Sequence, residues 1–126
     1  MTYKYTIPGQ PITKKNSQRI VYRAGKPMIL PSEKYKEYEA CCGWYIREQP
    51  KIERPCNVAV KYFMKDRRRA DLVNLQEATL DILVHYGVLS DDNYKIVQSM
   101  DGSCVSVDGK NPRCEITITI LEETNA

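Results

Sequence analysis

The sequence predicts an α+β fold, a small mixed β-sheet with two main helices on one face. Three observations carry this reading. Alternating apolar runs open and close the chain, at Thr2–Ile7 and Arg113–Leu121, and Cys56–Lys65 forms a third between them. Two segments of helical periodicity, after Ser32 and after Asp71, separate the runs. The connections look like hairpins, and no tract has the composition of an interdomain linker. The 126 residues are therefore expected to form one domain, 1–126, with 122–126 as a frayed tail.

TYKYTI (Thr2–Ile7) alternates as a half-buried strand does, and Pro8, Gly9 and Pro11 end it. A basic loop follows, with Lys14, Lys15 and Arg19. Arg19–Tyr22 and Pro27–Leu30 flank Arg23–Lys26, a hairpin turn in which Gly25 supplies the permissive backbone. Ser32 is placed as the N-cap of a first helix. Tyr35, Tyr38, Cys41 or Cys42, and Tyr45 then recur at helical spacing to about Glu48. A tyrosine stripe of this kind packs a core more often than it stacks on bases. In CNVAVKYFMK (Cys56–Lys65), Val58, Val60, Tyr62 and Met64 share one face of a strand. The second helix is expected from about Asp71 to Tyr86, stopping at Gly87 as a C′ residue. YKIVQSM (Tyr94–Met100) reads as a strand and Asp101-Gly-Ser as a turn. In the last strand Ile116, Ile118 and Ile120 alternate with Glu115, Thr117 and Thr119.

Hydrophobic residues make up 42% and charged residues 28%, the balance of a soluble globular chain. No apolar run approaches the ~20 residues of a membrane span. MTYKYTIPG lacks the features of a signal peptide, so no membrane association and a cytoplasmic location are expected. The five cysteines include no C-x-x-C pair, and free thiols are the simplest reading. A single histidine, His85, leaves little for a zinc site or for histidine-driven nucleophilic catalysis. Charge is unevenly distributed. Residues 1–69 carry sixteen Lys/Arg against six Asp/Glu, and residues 70–126 carry three against ten. Such blocks can set a basic surface beside an acidic pocket, or can neutralise each other across a folded domain.

At ~100° per residue the second helix has three faces. Leu72, Leu75, Thr79, Ile82, Leu83 and Tyr86 form the core side. Val73, Leu80 and Val84 form a second apolar stripe, and Asp71, Asn74, Ala78, Asp81 and His85 a polar strip between the two. The second stripe meets either another subunit, making a homodimer, or a covering loop.

RRRADLVNLQEATLDILVHYGVLSDDN sets Arg67, Arg68 and Arg69 against Asp71, and ends on Asp91 and Asp92. An aspartate opening a helix is ordinarily an N-cap, and Ser-Asp-Asp-Asn is turn chemistry. Together, though, both signs of charge suit phosphodiester hydrolysis. Mg²⁺ takes oxygen ligands from a few carboxylates and from phosphate, activating water, while arginine and lysine hold the backbone phosphates.

DRRRADLVNLQEATLDIL followed by GVLSDDNYKIV resembles the core of the RusA family of Holliday junction resolvases, small bacterial and phage-borne endonucleases. The resemblance extends to the IPGQP opening, the basic loop ending near Asn16, the tyrosine-bearing helix and the ITITI strand. It implies a RusA-like homodimer in the bacterial cytoplasm, cutting four-way double-stranded DNA junctions with Mg²⁺ or Mn²⁺. Asp71 matches the first catalytic aspartate of the family's D-L-D-N pattern and Asn74 its asparagine. Asp91 and Asp92 match the acidic pair, of which Asp92 is the better metal ligand. Two positions depart: Val73 replaces the second aspartate, and Glu77 replaces a lysine beside the scissile phosphate. The chain is then either a divergent, phage-associated branch with rearranged ligands or a junction-binding protein with weakened or lost catalysis. Asp101 ranks first as a replacement metal ligand, before Asp81 and Glu77. Lys14, Lys15, Arg67, Arg68, Arg69 and Asn74 are the expected DNA contacts.

Overall fold

In the computed structural model, residues 1–14, 18–46 and 51–121 are described. Their elements run β1 (Thr2–Pro8), β2 (Gln18–Arg23), β3 (Lys26–Pro31), α1 (Glu33–Cys42) and β4 (Cys56–Met64). Next come α2 (Leu72–His85), β5 (Val97–Ser99), β6 (Cys104–Val107) and β7 (Arg113–Ile120). The strands with the cleanest alternation occupy the middle of the main sheet. Its order is β1-β7-β4-β5, with β6 also pairing with β4. β7 runs antiparallel to both β1 and β4, and β5 and β6 run parallel to β4, so the sheet is mixed as expected.

Register fixes one buried face. Ile116 lies opposite Tyr5 on one side and Val60 on the other, and Cys114 lies opposite Ile7 and Tyr62. All of these are buried, with Val58, Met64 and Ile118 beside them. Fully burying such an aliphatic side chain contributes roughly 1.5–3 kcal/mol. Both helices cover this face. The Tyr38 hydroxyl of α1 lies 3.7 Å from Cys114 Sγ, and the Tyr62 hydroxyl lies 2.7 Å from Thr79 Oγ1 of α2. Cys114 and Tyr62 are cross-strand partners, so the two helices sit side by side on one side of the sheet.

Ser32 caps α1 as expected, its Oγ accepting from Tyr35 N–H at 3.2 Å. The helix is shorter than its tyrosine spacing predicts, ending at Cys42 rather than near Glu48, and 47–50 lie outside the described residues. At the stop Gly43 N–H turns to Cys41 O, because Tyr86 occupies Glu39 O, its i−4 carbonyl. A Cβ there would come within 2.8 Å of the Tyr86 ring, whose hydroxyl donates to Glu39 O at 2.6 Å. The tyrosines divide accordingly. Tyr35 is buried and Tyr38 half-buried as core, whereas Tyr45 is exposed.

α2 ends in a Schellman motif. Gly87 has φ 77°, its N–H donates to Val84 O, and Val88 N–H donates to Leu83 O. Leu75, Thr79, Ile82 and Leu83 are buried as expected. Ala78, expected on the polar strip, is buried too. Of the second apolar stripe, Leu80 and Val84 are half-buried against the core, while Val73 is 70% exposed.

The expected strand Tyr94–Met100 contracts to β5, since Tyr94–Ile96 form a turn closed by Ile96 and Val97 N–H on Asn93 O. β6 was not foreseen; it continues the same sheet edge after a break at Met100–Ser103. Across that break side chains replace the ladder. Asn57 Oδ1 accepts from Asp101 N–H and its Nδ2 donates to Asp101 O, while Val60 N–H donates to Ser103 Oγ. The expected tail, 122–126, lies outside the described residues.

Candidate active site at the two ends of the second helix

Asp71 occupies the N-cap position of α2, and its carbonyl accepts from Leu75 N–H at 3.1 Å. Its carboxylate, however, makes no capping hydrogen bond. Oδ2 instead accepts from Asn74 Nδ2 at 3.3 Å, and Oδ1 faces Arg69 Nε at 3.5 Å. The helix start thus leaves this carboxylate exposed among donors rather than using it as a cap.

The arginine loop stands beside it. Arg67, Arg68 and Arg69 are exposed. Arg68 and Arg69 line a cleft of about 320 Å³ with Lys34, Lys65 and Gln10. Gln10 Oε1 accepts from Lys65 N–H at 2.8 Å, tying the N-terminal loop to the cleft wall. Lys34 and Lys65 were missed from the sequence. Lys65 adjoins the arginine run in sequence, whereas Lys34 reaches the cleft through tertiary folding alone. Asp66 takes part of this charge, lying 3.6 Å from Arg68 Nε.

The other acidic group is held by the chain folding back after α2. Ile52 N–H donates to Val88 O, and Ser90 N–H donates to Ile52 O, which clamps the segment that leads into Asp91. Asp92 N–H donates to Asp91 Oδ1 at 2.7 Å. Desolvation raises the Asp92 pKa above the ordinary carboxylate value, and the adjacent Asp91 and the charge of Asp81 raise it further. Asp81 is salt-bridged to Lys14 at 3.4 Å, and Lys14 Nζ lies 5.6 Å from the centre of the Tyr35 ring. Lys14 thus meets α2 at Asp81, while its neighbour Thr13 lines the cleft that holds Arg68 and Arg69. Roughly 15 Å of helical rise separates Asp71 from Asp81.

The fold brings Asp71, Asn74 and Arg69 together, and separately Asp91 with Asp92. Asp101 belongs to neither group. Its backbone is bracketed by Asn57, and a Cβ on Gly102 would lie 3.5 Å from Ala59 Cβ. Asn57 and Ala59 alternate with buried Val58 and Val60, so this turn lies on the side of the sheet away from the helices. Glu77 is exposed on α2, as is Val73. Lys15 lies outside the described residues.

Among the described residues, no three His, Cys, Asp or Glu side chains gather as a ready-made metal cage. A Mg²⁺ ion held by one or two carboxylates, with water and substrate phosphate completing its shell, makes a smaller demand. Asp71 fits that demand, since neither of its oxygens is committed to backbone N–H groups. No helix among the described residues is long and apolar enough to cross a membrane.

A family model described as Endodeoxyribonuclease RusA matches residues 8–119. No curated protein matches the chain.

Proposed function

Because this chain belongs to the RusA family of endodeoxyribonucleases, we propose that it is a Mg²⁺-dependent nuclease that cuts branched double-stranded DNA, four-way junctions above all, as a homodimer. The observation that carries this reading is the Asp71 carboxylate, released from capping and set beside a cleft lined by Lys34, Lys65, Arg68 and Arg69. The four cations and Arg67 grip backbone phosphates and give a salt-dependent affinity. Asn74 orients the Asp71 carboxylate through its amide. Mg²⁺, when bound, supplies Lewis-acid stabilisation of the phosphate and a more acidic water. Asp92, with Asp91, is the second acidic station, its proton affinity raised first by desolvation and then by Asp91. A two-fold dimer offers one such pair of stations for each of two symmetry-related cuts.

Val73 supports a second reading, a junction-binding protein that does not cut. It is an apolar side chain, 70% exposed, where the family pattern has a carboxylate. Incubating the purified protein with a labelled four-way junction and Mg²⁺ separates the two. Paired nicks near the crossover support the nuclease. Retarded complexes without product support the binder, and no salt-sensitive DNA affinity at all defeats both.

A further inference from the structure

β2 and β3 form a two-stranded ribbon that pairs with no strand of the main sheet. Its turn is built for it, since Ala24 (φ 52°) and Gly25 (φ 76°) both take the left-handed conformation that a two-residue hairpin requires. Ile20 lies opposite Ile29, and Tyr22 opposite Pro27, so these four share one face. That face is bare, with Ile20 64%, Ile29 66% and Tyr22 71% exposed. On the other face Val21 and Leu30 are half-buried and Met28 is 40% exposed. A lone two-stranded ribbon is marginal in water, and an apolar face left on one calls for a partner.

Charge indicates what that partner is. The segment from Gln18 to Pro31 contains Arg19, Arg23 and Lys26 and no acidic residue, and Arg23 and Lys26 pair across the strands at the exposed tip. A ribbon-to-ribbon contact with a second copy would set these like charges against each other. A polyanion with flat apolar faces suits both features, and DNA with unstacked bases is such a ligand. Strands of six residues span roughly 20 Å, and the major groove is about 12 Å wide, so a ribbon can enter it.

We propose that the β2–β3 ribbon is a DNA-contacting arm that lays Tyr22, Ile20 and Ile29 on bases laid open at a branch point and its Arg23–Lys26 tip on the flanking phosphates. This rests on the DNA reading above and extends it, since it makes the ribbon the element that prefers branched to linear DNA. In an intact duplex the base faces are stacked shut, so there the ribbon contributes through its cations alone.

The test measures affinity by fluorescence anisotropy, for a four-way junction and a linear duplex of the same sequence, over a salt series, with sedimentation of each variant alongside. Tyr22→Ala is expected to weaken junction binding about tenfold and duplex binding less than about twofold. Tyr22→Phe, which keeps the ring, should bind as the parent does. The Arg23→Ala/Lys26→Ala pair should weaken both ligands and lower the salt slope by about two. If Tyr22→Ala binds the junction as tightly as the parent, the arm is not a DNA contact, although the DNA reading stands. If Tyr22→Ala changes the oligomeric state, the ribbon is an interface between copies and the proposal is overturned. A parent protein that binds neither DNA defeats the proposal together with the reading beneath it.

Discussion

The two ends of α2 present the same functional group in opposite surroundings. At the N-terminal end Asp71 has donors for neighbours, Asn74 and Arg69, and an arginine- and lysine-lined cleft nearby. Beyond the C-terminal end Asp92 has Asp91 in contact and Asp81 close enough to raise its pKa. One carboxylate is surrounded by groups that welcome negative charge, the other by groups that oppose it. Sequence position alone assigns both to routine duties, an N-cap and a turn. The fold leaves the first carboxylate uncapped and raises the proton affinity of the second.

The largest effect that can break this comparison is loss of chemistry at Asp71. Asp71→Asn keeps the size and the Asn74 contact but removes the charge. Junction cleavage under single-turnover conditions should fall by roughly 10²–10⁴-fold, the span typical of a removed catalytic group, while junction binding holds or improves. Undiminished cleavage would falsify the assignment of Asp71 to the chemistry.

A smaller effect sharpens the other end. Gly43→Ala drives a methyl group into the Tyr86 ring, which anchors the end of α2 to α1. Overpacking of this kind costs roughly 1–3 kcal/mol, and the urea midpoint should fall accordingly with little change in slope. An unchanged midpoint would mean that Tyr86 moves aside without cost and does not hold the two helices together.

The smallest effect concerns pH. Asp92 has a folded-state pKa raised above the ordinary aspartate value by desolvation and by Asp91. Its contribution to stability is therefore fully present below the unfolded value and is lost as pH rises through the raised folded value. Asp92→Asn removes that loss. The variant should be slightly more stable than the parent at pH 7, with the advantage vanishing near pH 3.5. Because Asp92 is exposed, solvent screening keeps the difference small. Denaturation at the two pH values measures it, and an advantage that grows on acidification reverses the sign argument.

Much of this molecule is legible where structure is local. Strict alternation places β4 and β7, the hairpin turn is written in Ala24-Gly25, and Ser32 and Gly87 mark helix ends with chemistry that acts within a few residues. The misreadings share a different origin. The first helix stops at Cys42 because of Tyr86, a residue far along the chain. The edge strand breaks at Met100–Ser103 because Asn57 and Ser103 side chains take over its hydrogen bonds. Ala78 is buried on a side that helical periodicity within α2 assigns to the polar strip. The candidate site divides in the same way. Asp71, Asn74 and Arg69 are neighbours in sequence and were named together. The cleft's Lys34 and the Lys14–Asp81 bridge join distant segments, and only the folded chain shows them.

The interrupted edge formed by β5 and β6 bears on solubility. An unbroken exposed strand is a template on which other molecules can add strands and begin to aggregate. Here the outer border consists of one run of three residues and one of four, with a kink between them locked from the inside by an asparagine and a serine. Neither run is long enough to recruit a neighbour in register, so this side of the sheet resists runaway self-association without needing a covering helix.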